Sequence, residues 1–258
     1  MRGSGRLGYA IGLPVVLLAI WWLLTAHSTS FFWPPLSSIL QALPDTWLGD
    51  RLGTDVRPSL VRLLTGYSIA LLIAVAAGLA IGLSRTLRAL TEPTLEFFRA
   101  IPPPVLVPVI ALFAGYTGST SKIITIALGC VWPILLNTVE GVRGLDEVYL
   151  DTARCYQFRR RSRLLQVVLR GASPQIVAGA RQSLSIGVIL MVISELFGAE
   201  HGLGASIVQF QRSFAIPQMW TGIIVLGLLG VLLAMLFRVV EHYALAWYRG
   251  LRNADRGA

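Results

Sequence analysis

The chain has 258 residues, of which 55% are hydrophobic and only 14% charged, with a mean hydropathy of +0.68, against about 25% charged residues in soluble domains. That balance excludes an ordinary soluble domain. The formal net charge of +9 would fit a nucleic-acid binder, but the arginines flank apolar runs instead of lining one polar face, so no nucleic-acid partner is expected.

Charge-free apolar runs mark membrane spans, because a hydrocarbon core of ~30 Å takes about 20 helical residues. The first run is 7–26. Arg2 and Arg6 precede it as in a secretory signal, but it is long for a signal core and lacks a small-x-small cleavage site, so it reads as a retained span. Phe31-Phe32-Trp33-Pro34-Pro35 suits a membrane interface. Leu36 to Trp47 then reads as a short amphipathic helix, and 59–84 as the second span, with Gly66, Gly78 and Gly82 placed for close helix contact.

A short charged loop from Arg85 to Arg99 leads to Pro102-Pro103-Pro104, which no ordinary helix interior tolerates, so the third span, 101–117, is expected to be short or broken. The fourth is 122–140. An arginine-dense loop, 141–172, follows, in which Asp151-Thr152-Ala153-Arg154 has the makings of a short surface helix with its acid near the N-terminus. Gly171, Ser173 and Pro174 break the pattern before the fifth span, 174–197. The segment 198–219 is polar enough to lie outside or re-enter, and 219–246 is the sixth span.

Sixteen of the 22 lysines and arginines fall in the two termini and the loops on one side, seven of them in 141–172. Both termini and that loop are therefore expected in the cytoplasm. One all-helical integral domain of about six spans, 1–258, accounts for the chain. Cys130 and Cys155 match no metal spacing, the three histidines lie in separate segments, and there is no glycine-rich Lys-Ser/Thr phosphate loop. An enzyme is not expected, nor a metal or cofactor in this chain.

Two sets of residues are left to carry function. Polar side chains within spans are unfavourable in hydrocarbon unless they pair or face water. This makes Asn137, Gln182, Ser183, Ser185, Ser194 and Glu195, with Tyr67 and Trp132 as wall, candidates for a translocation surface. The competing role for the serines and Asn137 is hydrogen bonding between helices. For Glu195 the choice is between an interfacial carboxylate and a gate. A self-contained secondary transporter or channel is the alternative function, although it would need carboxylates or a selectivity ring inside the spans.

The other set is the loop, and it carries a resemblance. Asp151-Thr152-Ala153 followed by Gln157, then Leu169-Arg170 and Pro174-Gln175-Ile176, resembles the signature loop of binding-protein-dependent ABC importer permeases, with Gln157 and Arg170 where that family has Gly and Pro. Arg99-Ala100-Ile101-Pro102-Pro103, Ala178-Gly179-Ala180-Arg181 and Glu195-Leu196-Phe197-Gly198-Ala199 with Gly202-Leu203-Gly204 are similar to its nitrate, taurine and alkanesulfonate branch. The resemblance implies a type I importer permease fold in a bacterial cytoplasmic membrane, paired with a second permease copy. It further implies two ATPase subunits that hold the ATP and magnesium, an extracytoplasmic binding protein, and a small anionic or zwitterionic solute. Asp151, Thr152, Ala153, Gln157 and Arg160 would lie in the ATPase-docking region, while the neighbouring arginines would also touch lipid headgroups. Ala153 is expected to be small because a partner packs on it. Because no helix breaker stands between Gln157 and Gly171, the helix carrying Asp151 is expected to run past Gln157 without a sharp turn.

Overall fold

The computed structural model describes residues 3–254, with side chains from residue 12 to residue 250. It is helical throughout: α1 (Gly3–Thr25), α2 (Leu36–Trp47), α3 (Leu52–Leu83), α4 (Arg85–Ala100), α5 (Val107–Ala114), α6 (Ser119–Arg143), α7 (Glu147–Cys155), α8 (Arg160–Leu196), α9 (Leu203–Arg212), α10 (Ile216–Ala244) and α11 (Ala246–Ala254). Helices α3, α6, α8 and α10 are each long and apolar enough to cross a membrane, and α4 with Pro103–Ala114 makes a fifth, bent pair at 80°. Among the described residues there are thus four or five candidate spans, about six being expected from the whole sequence. Helix α1 has 23 residues, and its described side chains, Gly12–Thr25, are apolar.

Helix α6 is the centre of the bundle, and small residues let its neighbours approach. A Cβ on Gly66 of α3 would lie 2.8 Å from the Ile123 carbonyl oxygen, and one on Gly78 would lie 2.6 Å from Thr138 Cβ. On the other side, a Cβ on Gly179 of α8 would meet the Pro133 carbonyl oxygen at 2.7 Å. Without a hydrophobic driving force between helices in lipid, such close packing is what holds spans together. Leu63, Ile126, Ile134, Leu190 and Met191 fill the seams and are fully buried.

Two expectations are corrected here. The charged stretch after α3 is a 16-residue amphipathic helix, α4, not a loop. Ser84 Oγ caps it by accepting from Leu87 N at 3.2 Å, and Leu87, Leu90, Phe97 and Phe98 stay exposed along it. The helix that carries the fifth span does not begin at Pro174 either. Helix α8 starts at Arg160, widens to a π-turn over Arg163–Val168 and continues through Gly171, Ser173 and Pro174. Packing overrides the local breakers: Ala172 is fully buried, Gly141 of α6 rests on Ala172 and Gln175, and a Cβ on Gly171 would strike Leu145 at 2.5 Å. Gly171 is therefore a contact point and not a helix end.

At the end of the bundle away from α7, α2 lies against α10. Trp47, 2% exposed, donates from Nε1 to Thr221 Oγ1 at 2.8 Å. Trp220 stacks obliquely with Trp21 and Trp33, at 5.8 and 5.4 Å between ring centres, and donates to the Phe32 carbonyl at 3.3 Å. The aromatic cluster read as interfacial in the sequence is thus gathered around one tryptophan, where rings with an apolar body and a polar N–H fit a bilayer edge.

Candidate functional site

The polar loop between α6 and α8 presents α7 on the outside. Asp146 opens this helix by accepting from Val148 N at 2.8 Å, and Glu147 lies in its first turn, where the helix dipole favours an acid. Asp151, Thr152, Arg160 and Gln157 are all exposed. Asp151 pairs with Arg154 at 2.6 Å, while Val148, Tyr149 and Tyr156 expose apolar surface beside them. An exposed apolar patch edged by charge, on a nine-residue helix held between two long ones, has the character of a contact surface. Ala153 is different. It is 6% exposed, and α7 packs on the Arg163–Val168 turn, so its small side chain fits its own chain and not an incoming partner. Ala153→Arg would disturb the loop itself.

The expectation for Gln157 is overturned. Helix α7 ends at Cys155, and Gln157 has φ 52°. Phe158 N donates to Ala153 O at 3.1 Å and Gln157 N to Arg154 O at 2.9 Å, the crossed pair of bonds of a Schellman cap, in which the residue after the cap is left-handed. The same cap closes α9, with Phe214 at φ 56°, Ala215 N on Phe210 O at 2.9 Å and Phe214 N on Gln211 O at 3.2 Å. Both caps satisfy helix-end carbonyls that would otherwise lack partners, which offsets the roughly 1 kcal/mol that a side chain costs in this conformation. The loop therefore keeps a sharp turn without the glycine. Gln157→Gly is expected to stabilise it by about 1 kcal/mol, read as slower amide exchange at Phe158, whose N–H closes the cap; unchanged or faster exchange would contradict this.

The span residues divide. Ser183 donates to the Cys130 carbonyl at 2.8 Å, Ser194 to Met191 O at 2.9 Å, Asn137 to Pro133 O at 2.8 Å and Tyr67 to Ala180 O at 2.9 Å. Ser183 and Ser194 are buried, and all four bonds lie within a helix or between adjacent helices, the role that competes with a translocation surface. Trp132 is half-buried. Gln182 and Ser185 are exposed and lie close together on α8, so of the expected surface they are the pair open to a neighbour or to water.

Glu195 is not on that surface. It is 1% exposed, and its carboxylate accepts from Ser59 Oγ at 2.7 Å, from Arg62 Nη1 at 2.9 Å and from Gly204 N at 3.0 Å. Arg62, itself buried, also donates to the His201 carbonyl at 2.7 Å and to Ser119 Oγ at 3.0 Å. Ser59 Oγ in turn accepts from Leu203 N at 2.9 Å, and Asp55 from Gly202 N at 3.3 Å. Gly202 has φ 142°, and a Cβ there would stand 2.5 Å from the Glu195 carboxyl carbon, so only glycine lets the chain pass the charge. The cluster fastens α3, the end of α8 and the start of α9 to one another. A buried, hydrogen-bonded ion pair of this kind is a clamp, and Asp55, Ser59 and Arg62, which sequence reasoning passed over, belong to it with Gly202. Their signal was present: Arg62 is the single charge in the run 59–84, and Glu195 is the single acid in the run 174–197. Lys122, 1% exposed, lies near it and donates to the Tyr116 carbonyl. Among the described residues no three His, Cys, Asp or Glu side chains come together as metal ligands.

Residues 56–244 match the sequence pattern of the family described as binding-protein-dependent transport system inner membrane component. The chain is 29% identical over 252 residues to the taurine transport system permease protein TauC of Escherichia coli (strain K12), covering 95% of this chain and 91% of that protein. It is 29% identical over 260 residues to the putative aliphatic sulfonates transport permease protein SsuC of Bacillus subtilis (strain 168), covering 99% and 92%. Over 176 residues it is 34% identical to the bicarbonate transport system permease protein CmpB of Synechococcus elongatus, covering 68% and 63%. Among solved structures, a chain of the MetNI methionine ABC transporter in an inward-facing conformation is similar in fold. Its TM-score is 0.65 at 18% identity, over 74% of this chain and 94% of that one.

Proposed function

Because the chain belongs to the family of binding-protein-dependent transport system inner membrane components, we propose that α7 is where an ATPase subunit docks and that α8 carries its movement into the membrane. The observation that supports this most is the construction of the loop. A short capped helix with exposed Asp151 and Thr152 lies on the base of α8, and α8 runs unbroken for 37 residues from Arg160 to Leu196. A displacement of α7 is thus delivered to a helix that packs on both α3 and α6. This chain has no phosphate-binding loop of its own, so ATP and magnesium belong to the partner. Two copies of the chain, each with an ATPase subunit, form one pathway, and nucleotide binding and hydrolysis shift the populations of its inward- and outward-facing states.

The solute is a small anion or zwitterion delivered by a binding protein. The names of the similar permeases support this, since they specify taurine, aliphatic sulfonates and bicarbonate. Gln182 is uncharged and exposed, so it can contact such a solute without holding it tightly. The permease lies in a bacterial cytoplasmic membrane with α7 and both termini inside, as the arginine distribution requires.

Two experiments test this reading. Affinity purification of the chain in mild detergent is expected to bring down its ATPase, and Asp151→Arg with Thr152→Arg to release it while the permease still folds; retention of the ATPase by the double variant would contradict docking at α7. For orientation, Cys155 is exposed and Cys130 buried, so probes are placed on a Cys155→Ser background. Arg161→Cys is expected to be labelled only from the cytoplasm and Gln209→Cys only from outside, and the reverse pattern would overturn the topology.

A further inference from the structure

Between α8 and α10 is an open cleft of about 380 Å³ whose lining changes character along its length. Arg181 and Ser185 supply its polar side, while Val188 from α8 and Leu233, Ala234 and Phe237 from α10 make apolar walls. Beside its polar end, Arg181 reaches Glu241 at 3.4 Å, and both side chains remain partly exposed. The guanidinium carries five N–H donors, and this one long contact leaves most of them open. Ser185 makes no hydrogen bond among the described residues.

Helix geometry sets the level of the polar end. From Ile216, the outer end of α10, to Glu241 is about 37 Å at 1.5 Å per residue, which exceeds a hydrocarbon thickness of ~30 Å. Glu241 therefore stands at the headgroups of the leaflet nearer α7, and Arg181 extends toward it. Arg170 stacks over Trp247 of α11 at 5.4 Å, and Tyr248 adjoins it, the residue types that gather at headgroup level. Arg238, next to Phe237, is exposed and adds a positive charge at the same depth. Arg181 is the cationic group of the cleft itself, and with Arg170 and Arg238 on the same two helices it leaves positive charge in excess of Glu241 on this side.

We propose that the cleft binds one anionic phospholipid, its phosphate on Arg181 and one acyl chain along Val188, Leu233, Ala234 and Phe237. A cationic mouth at headgroup level with an apolar groove leading toward the bilayer centre is complementary to that class of amphiphile. Glu241 competes with the phosphate for Arg181, so the site is weakened by its own acid. The lipid bridges α8, the helix that begins at the α7 loop, to α10, which is otherwise little buried in the bundle, and so braces the element through which α7 would act. The binding itself rests on the membrane reading of these helices; its placement in the cytoplasmic leaflet rests on the proposed orientation.

The test uses the full chain with its ATPase in nanodiscs holding equal phosphatidylglycerol and phosphatidylcholine in both leaflets, so that retention is read whichever way the chain sits. Lipid carried through gentle extraction is counted by native mass spectrometry. Phosphatidylglycerol is expected to be retained over phosphatidylcholine, and Arg181→Gln to lower that preference about fivefold, the loss of one arginine near the surface. Glu241→Gln is expected to raise it, and Ala234→Trp, which fills the groove without touching the charges, to remove both lipids. If Arg181→Gln does not accumulate, the last two variants decide the matter. Equal retention of the two lipids, an unchanged preference in Glu241→Gln and Arg181→Gln, or displacement of the lipid by a soluble sulfonate would overturn the proposal. The last result would assign the cleft to a free anion.

Discussion

Glu195→Ala is expected to destabilise the protein by about 3–5 kcal/mol, the range for removing one member of a buried ion pair. The variant leaves the Arg62 guanidinium buried without its carboxylate and Gly204 N without an acceptor, while Ser59 Oγ keeps only its bond to the Asp55 carbonyl. Thermal unfolding in detergent should show a large fall in midpoint, with low accumulation in membranes. Removing both charges, as Arg62→Leu with Glu195→Leu, should recover much of the loss, because the penalty lies in the unpaired charge more than in the absent bond. A double variant as unstable as the single one would mean that the cluster acts through its packing. The clamp's effect extends to its neighbours: it fixes the backbone from His201 to Gly204, and α9 starts there.

Gly78→Leu should be comparably severe. Its Cβ alone would stand 2.6 Å from the Cβ of Thr138, a fully buried β-branched residue that cannot swing aside, and 3.1 Å from the Leu135 carbonyl. The two helices must therefore separate along a seam that includes Leu63 and Ile126, and overpacking of this kind costs about 1–3 kcal/mol or more. Gly66→Leu, against the Ile123 backbone at 2.8 Å, should behave alike. Gly227→Leu is the control, since a Cβ there meets nothing within 4 Å. Equal melting of Gly78→Leu and Gly227→Leu would show that α3 and α6 do not depend on close approach.

Most of the long helices were legible because a membrane helix is written as a charge-free run, and runs of that kind stand where α3, α6, α8 and α10 lie. The same rule hid α4. Arg85, Arg88, Glu92, Glu96 and Arg99 recur every three or four residues, the period of an amphipathic helix, but a search for charge-free stretches treats such a segment as loop. Pro174 misled for another reason. Proline removes one hydrogen bond of a helix, yet the contact of Ala172 with Gly141 outweighs that loss, and no local pattern records which residues of a distant helix are small.

The candidate site was legible unevenly. Asp151 and Thr152 could be placed on an exposed short helix from composition and spacing. The turn at Gln157 could not, because it is held by backbone bonds from Gln157 and Phe158 that any residue type can make. Glu195 drew attention as an acid in a span, but its meaning depends on Arg62, 133 residues earlier in the chain. Ser183 and Ser194 were ambiguous in the sequence, and in the fold both are buried and bonded to Cys130 and Met191.

The central claim is that this chain moves solute only when an ATPase drives it through α7. Proteoliposomes containing the permease, its ATPase and its binding protein, loaded with ATP and magnesium on the ATPase side, measure this directly with radiolabelled taurine, an alkanesulfonate and bicarbonate as trial solutes. At least one is expected to be taken up when all three proteins and ATP are present, with no uptake when the ATPase is omitted or when Asp151 and Thr152 are both replaced by arginine. Uptake by the permease alone, driven by a proton or sodium gradient and indifferent to those substitutions, would contradict the account and make the chain a self-contained secondary transporter.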